Sequence, residues 1–177
     1  MRLSLSMARR LALHGQGLDG SWELPSGKEG TAQVIERLGY VQIDTISVVQ
    51  RAHQHILWTR HADHEPAYLH TLQAKDRRVF EYWAHAAAYL PMANYRYYLP
   101  RMRRHAQRER TRNWISENQK VVDRVLDRIR AEGALGSVDF KAPPDFESGW
   151  WQRKPAKRAM ESLFSSGQLL ISERRNF

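Results

Sequence analysis

The sequence contains no cysteine among its 177 residues. That excludes disulfides, thiolate metal sites and a cysteine nucleophile, and it fits a cytoplasmic location. No apolar run approaches the roughly 20 residues a membrane-spanning helix needs, so the chain reads as soluble. The opening MRLSLSMARRLALHGQGL carries Arg9 and Arg10 inside its apolar pattern and lacks a small-residue cleavage site. It reads as an amphipathic first helix over 4–14, with Leu5, Ala8, Leu11 and Leu13 as its apolar positions, rather than as a signal peptide. Phosphate-loop, GxSxG and HExxH patterns are all missing, and GQGLDG has no strand before it of the kind a dinucleotide site requires. The histidines of HQH (His53, His55) and HADH (His61, His64) lack ligand spacing on one helix face. Neither a metal nor another cofactor is expected.

Acidic residues are scarce relative to basic ones: 19 Asp and Glu against 28 Lys and Arg, a net charge of +9. Arginine dominates, and its planar fork suits bidentate contact with phosphate. Solubility alone accounts for some excess charge, but a basic chain without a membrane segment points first to nucleic acid. The apolar fraction, 42%, is sufficient for a globular core.

Periodicity organises the rest of the chain. GTAQVIERLGYVQI reads as a helix of Ala32, Val34, Ile35 and Leu38, a Gly39 C-cap and a short strand. Thr45 to Leu57 returns to helical spacing, HEPAYLHTLQAK is a further short helix, and RRVFEYWAHAAAYLP is a strand or turn leading to a helix that Pro91 opens. In NYRYYLPRMRRHAQRERTRNW, Arg101, Arg104, Arg108 and Arg112 recur at helical spacing and form one stripe, either a solvated face or a phosphate-facing one. ENQKVVDRVLDRIRAEG is a helix with Val121, Val125 and Ile129 on one face, ended by Gly133; Ser137 fits the N-cap of a short second helix. KPAKRAMESLFSSGQLLIS is a third helix with Pro155 in its first turn, a Gly167 stop and an apolar strand. Helix, short helix, helix and strand is the order of a winged helix. Its helix–Gly–strand ending echoes residues 30–43, so two such modules are expected, over 1–114 and 115–177. The fold class is therefore mainly α with short β-strands (α+β). The last wing strand has no partner within SERRNF, and an unpaired apolar edge is a liability. The chain is expected to be a piece of a longer protein, monomeric when whole.

One short stretch holds the chemical interest. If Tyr40 to Asp44 is extended, Tyr40, Gln42 and Asp44 share one face and Val41 and Ile43 the other. Asp44 precedes a helical pattern and fits an N-cap, a role compatible with chemistry because a helix N-terminus favours ionised carboxylate. His53, Tyr82 and His85 are further candidates for a pocket, with core or surface roles open for each.

The segments HGQGL, VQIDTISVVQRAHQHILWTR, VFEYWAHAAAYLP and SGWWQRKPAKRAMESLFSSGQLLISERRNF together resemble the YcaQ/AlkZ-like winged-helix DNA glycosylases. The resemblance runs across nearly the whole chain, and it implies tandem winged helices and excision of alkylated bases, including interstrand crosslinks at N7 of guanine. Gln42-Ile43-Asp44 is similar to the Gln-x-Asp signature of the crosslink-unhooking branch, which makes Gln42 and Asp44 the expected catalytic pair. The implied partner is double-stranded DNA bearing alkylated bases or crosslinks, held by Arg51, Arg60, Arg101, Arg104, Arg108, Arg112, Lys154, Lys157 and Arg158. A non-catalytic winged-helix DNA-binding transcriptional regulator is the alternative; it would bind a defined sequence and have no use for Gln42 and Asp44.

Overall fold

The computed structural model describes residues 2–44, 46–142, 146 and 153–174; Thr45, 148–152 and 175–177, which belong to segments quoted above, lie outside the described residues. It divides into two compact units. One takes the chain up to Tyr95 and again from Ser172 onward, and the other takes Arg96–Ile171.

The first unit opens with α1 (Leu5–Gly15), whose N-cap Ser4 accepts the Met7 backbone N–H at 3.2 Å. The helix forms as its periodicity predicts, yet none of its residues is buried, and Leu5, Leu11 and Leu13 stay exposed. Helix α2 (Gly27–Leu38) buries Ala32, Val34 and Ile35 and ends at Gly39, whose φ of 78° lets its N–H close onto the Ile35 carbonyl. Gly30 within α2 is required for a different reason. A Cβ there would stand 2.2 Å from the Pro25 carbonyl oxygen and 2.5 Å from the His61 ring.

Strand β1 (Val41–Gln42) follows at once. Helix α3 is shorter than its pattern suggests, running Ala52–Trp58 rather than from Thr45. Ile46, Val48 and Val49 are β-branched and poor helix formers, and the backbone finds other partners. Asp44 Oδ1 accepts the Ile46 N–H at 2.8 Å, and Ser47 and Arg51 pair in an isolated antiparallel bridge. Asp44 therefore holds a turn and is not the cap of a helix; the N-cap of α3 is Arg51.

Helix α4 (Pro66–Ala74) starts on proline, as a first turn tolerates. Strands β2 (Val79–Trp83) and β3 (Ala87–Pro91) form a hairpin, and β1 completes an antiparallel sheet in the order β1-β3-β2. One sheet face supplies Val41, Ile43, Val79 and Tyr89 to a core shared with Ile35, Leu57, Leu69 and Leu72 from the helices. On the other face Phe80, Tyr82 and Leu90 are also buried. After Pro91 comes a short 3-10 turn, Met92–Asn94.

The second unit is helical. Helix α5 (Tyr95–Gln107) carries Pro100 inside it, and α6 (Glu109–Glu117) restarts after a break at Arg108, whose ψ of 130° is extended. The arginine stripe is thus not on one continuous helix: Arg101 and Arg104 lie on α5, Arg108 at the break and Arg112 on α6. Helix α7 (Gln119–Glu132) and helix α8 (Pro155–Ser165) pack through Val122, Val125, Ala159 and Leu163, with Phe140 beside them. Between them a 3-10 turn, Ser137–Asp139, is capped by Gly136 rather than by Ser137, because Asp139 Oδ2 accepts the Gly136 N–H at 2.7 Å. Gly167 (φ 76°) stops α8 as expected, but 168–174 do not form the predicted strand; Gln168 and Leu169 instead donate their N–H groups back to the Leu163 carbonyl. The chain is α+β, with helices dominating and one small sheet among the described residues. Among the described residues no helix is long and apolar enough to cross a membrane.

Candidate active site

Strand β1 lies at an edge of the sheet and pairs only with β3, with Val41 opposite Tyr89 and Gln42 opposite Ala88. Ile43 extends the ladder by donating its N–H to the Ala87 carbonyl at 2.8 Å. Alternation then does what the residue types require. Val41 and Ile43 are buried, while Tyr40 is exposed and Gln42 and Asp44 are partly exposed.

Each polar member of that face is held. The His85 imidazole, at the exposed β2–β3 turn, donates from Nε2 to Gln42 Oε1 at 3.1 Å, which leaves the Gln42 amide N–H groups pointing away from that bond. Tyr40 meets the His85 ring edge-on, centroid to centroid 5.3 Å. The Asp44 carboxylate is fixed through Oδ1 by the Ile46 N–H, so its orientation relative to the strand is set by backbone rather than by another flexible side chain. The structure therefore joins Gln42 to His85 and adds Tyr40, which sequence reasoning placed on the face but gave no role, while Asp44 is held separately by the Ile46 N–H.

His53 and Tyr82 occupy different surroundings. His53 is 1% exposed, stacked edge-on against Tyr89 beneath the sheet. Burial, reinforced by the Arg51 charge and opposed by Asp44, pulls its pKa down to about 4, so the ring is neutral near neutral pH. Tyr82 sits in the same cross-strand row as Gln42, with Ala88 between them, but it is buried and offers no open wall.

Beneath Gln42 lies a feature the sequence reading missed. Glu81 on β2 is 2% exposed, on the face that carries Val41 and Tyr89. The Arg174 guanidinium binds it in a fork, Nε to Oε2 at 2.7 Å and Nη2 to Oε1. Burial and the neighbouring Glu81 carboxylate push the Tyr89 phenol up to about 12, so it remains protonated. A lone glutamate inside the apolar run VFEYW was the available signal, because a buried carboxylate requires a cation partner.

His61 and His64 have structural employment. His64 bridges the Thr31 hydroxyl (Nδ1, 2.9 Å) and Gln54 Oε1 (Nε2, 2.7 Å), and burial lowers its pKa to about 4. His61 donates from Nε2 to the Gly27 carbonyl at 2.8 Å. Among the described residues no three His, Asp or Glu side chains are grouped as a metal site would need.

The basic candidates divide by what their side chains touch. Arg60 donates to the Gln16 carbonyl (2.8 Å) and the Ile56 carbonyl (2.8 Å), tying α3 to the loop after α1. Arg51 caps α3 at the foot of the Ser47–Arg51 turn. In the second unit Arg101, Arg104, Gln107 and Arg108 line an open depression of about 570 Å³. Arg112, Lys157 and Arg158 are exposed, Arg158 lying 4.8 Å over the Trp114 ring, and Lys154 sits at the N-cap of α8.

The structure thus holds a carboxylate and an amide near a sheet edge in a strongly basic chain. A family model described as DNA glycosylase AlkZ-like matches residues 35–177, from within α2 to the end of the chain. The chain belongs to that family of DNA repair glycosylases. No solved structure matches it.

Proposed function

We propose that this chain hydrolyses the N-glycosidic bond of N7-alkylated purines in duplex DNA, including unhooking of interstrand crosslinks, as a monofunctional glycosylase without a cofactor. The observation that carries the reading is the pair Gln42 and Asp44, Gln42 on the edge strand β1 and Asp44 two residues further along the chain, each pinned by a hydrogen bond.

Alkylation at N7 gives the purine a positive charge, so the base departs as a neutral molecule when the bond electrons move onto N9. Little general-acid help is required. What the protein must supply is stabilisation of positive charge developing on the sugar and a water in position to attack. The Asp44 carboxylate does both: it faces the oxocarbenium-like sugar and accepts the proton of the attacking water. Gln42, steadied by His85, orients that water through its amide. His53, neutral and buried, supports Tyr89 and takes no proton in the reaction.

A crosslinked base remains bonded to the opposite strand and cannot swing fully into a closed pocket. Partial exposure of Gln42 and Asp44, with His85 wholly at the surface, supports an open, shallow site. The DNA backbone is held by Arg101, Arg104, Arg108, Arg112, Lys154, Lys157 and Arg158, and winged-helix modules are the proposed scaffold. Such contacts position the duplex without reading its sequence, which suits a lesion-directed enzyme. The protein works as a monomer on DNA in the cytoplasm, at the nucleoid.

The test is to incubate the protein with duplexes bearing N7-methylguanine or an N7 crosslink and to measure abasic sites. Excision with little dependence on flanking sequence is expected. Tight binding to one defined sequence with no abasic product would replace this reading with a regulator.

A further inference from the structure

Residues 46–51, between the candidate site and α3, project from the first unit in an unusual way. Val48 is 92% exposed, Val49 87% and Ile46 73%, more than any other large apolar residue among the described residues of that unit. They are not a loose tail. The Ser47–Arg51 bridge closes a turn whose apex is Val48-Val49-Gln50, Gln50 Oε1 accepts the Arg51 N–H at 3.0 Å, and Asp44 anchors the approach through Ile46. Three stiff aliphatic side chains are thus displayed to water on a tethered tip that starts two residues after Asp44.

Displaying that much apolar surface to water is unfavourable, with no return in the unliganded protein. A polyanionic backbone offers such a tip nothing. The one apolar environment a DNA duplex contains is its base stack, and aliphatic side chains pushed between base steps are a recurrent way of opening it.

We propose that Ile46, Val48 and Val49 form an apolar wedge that enters the base stack beside the nucleotide under attack. It holds the step open so that Asp44 reaches the sugar without complete extrusion of the base. The inference rests on the glycosylase reading for its substrate, yet it concerns a separable event, loss of stacking rather than bond cleavage. The occupant is a base step of duplex DNA, chosen over a second protein surface because the tip is contiguous with the reactive pair.

The test uses the full chain and a duplex carrying a cleavage-resistant 2′-fluoro N7-methylguanosine next to 2-aminopurine, whose fluorescence rises when it unstacks. The wild-type protein should raise the fluorescence, and Val48→Ser/Val49→Ser should lose most of the rise. On cleavable N7-methylguanine the same variant should excise about tenfold more slowly from a paired duplex. Opposite a gap, where stacking is already broken, it should fall within about twofold of wild type. Val48→Leu/Val49→Leu should restore the fluorescence, and the thermal midpoint should not move, because the side chains bury nothing. Excision by wild type without any fluorescence rise would overturn the wedge and leave the glycosylase reading intact. A fluorescence rise without excision would do the reverse. A wild-type dimer that becomes monomeric in the serine variant, with fluorescence unaltered, would assign the tip to self-association and also overturn the wedge.

Discussion

In the unit that carries Gln42 and Asp44, three arginines are tied to partners, while Arg9 and Arg10 on α1 stay exposed. Arg78 joins Glu29 (2.5 Å) and Glu36 (2.6 Å), Arg174 grips the buried Glu81, and Arg60 is tied to two backbone carbonyls. In the other unit Arg101, Arg104 and Arg108 line an open depression, Arg128–Glu132 and Arg130–Asp127 are short-range surface ion pairs on α7, and Arg153 pairs with Glu161 of α8. The difference separates two requirements. A reactive carboxylate must be held in fixed geometry, which favours charges locked by partners around it. Affinity for a polyanion needs cations that stay accessible, and their individual positions matter little.

Removing the proposed reactive carboxylate breaks the contrast most severely. Asp44→Asn should lower single-turnover excision of N7-methylguanine by about 100-fold or more while circular dichroism and duplex affinity stay near wild type. Normal excision would remove Asp44 from the chemistry.

Next in size is the clamp below the site. Arg174→Ala leaves the Glu81 carboxylate in its buried position without its strongest cation, and urea unfolding should show a loss of about 3 kcal/mol. A change near zero would show that Glu81 is satisfied without the fork.

Protonation tests the first unit in a third way. His53 and His64 have folded pKa values of about 4, below the ordinary histidine value of 6.5, so the folded state resists protonation and the unfolded state does not. Their stabilisation is complete above pH 6.5 and is lost as pH falls towards 4, by up to about 1.4 kcal/mol per pH unit for each ring. Urea denaturation across that window should flatten in His64→Gln.

The smallest effect belongs to the accessible cations. Arg101→Ala, Arg104→Ala and Arg108→Ala should each weaken duplex binding to a similar degree whatever its sequence. Each should reduce the slope of log affinity against log salt by about 1. A sequence-dependent loss would mean that one of them reads bases.

How much of this was legible in the sequence depended on how local its cause was. Helix α2, its Gly39 terminator and the alternating face of β1 follow from spacing within a dozen residues, and they form as written. The late start of α3 was concealed because apolar spacing continued through Val49, although β-branched side chains and Asp44 favoured a turn. Nothing in the residue types around Arg108 announces the break between α5 and α6, whereas Pro100, the obvious breaker, lies inside a continuous helix. Of the site, Gln42 and Asp44 were visible as a pair. Contact with His85 depends on strand register between segments forty residues apart, and the commitment of Arg60 to carbonyls depends on where the Gln16 loop lands.

The shortness of β1 sets a constraint of parity on this protein. Its face assignment rests on Val41 opposite Tyr89 and Gln42 opposite Ala88, entered from a left-handed turn at Gly39. Deleting Tyr40, the single residue between Gly39 and Val41, would leave net charge and helix α2 unchanged. Yet it would offer the sheet an amide and a carboxylate where it now takes valine and isoleucine. Changes of two residues restore the order. Length tolerance at that turn should therefore run in even steps, a rule that a library of insertions would reveal without any knowledge of the substrate.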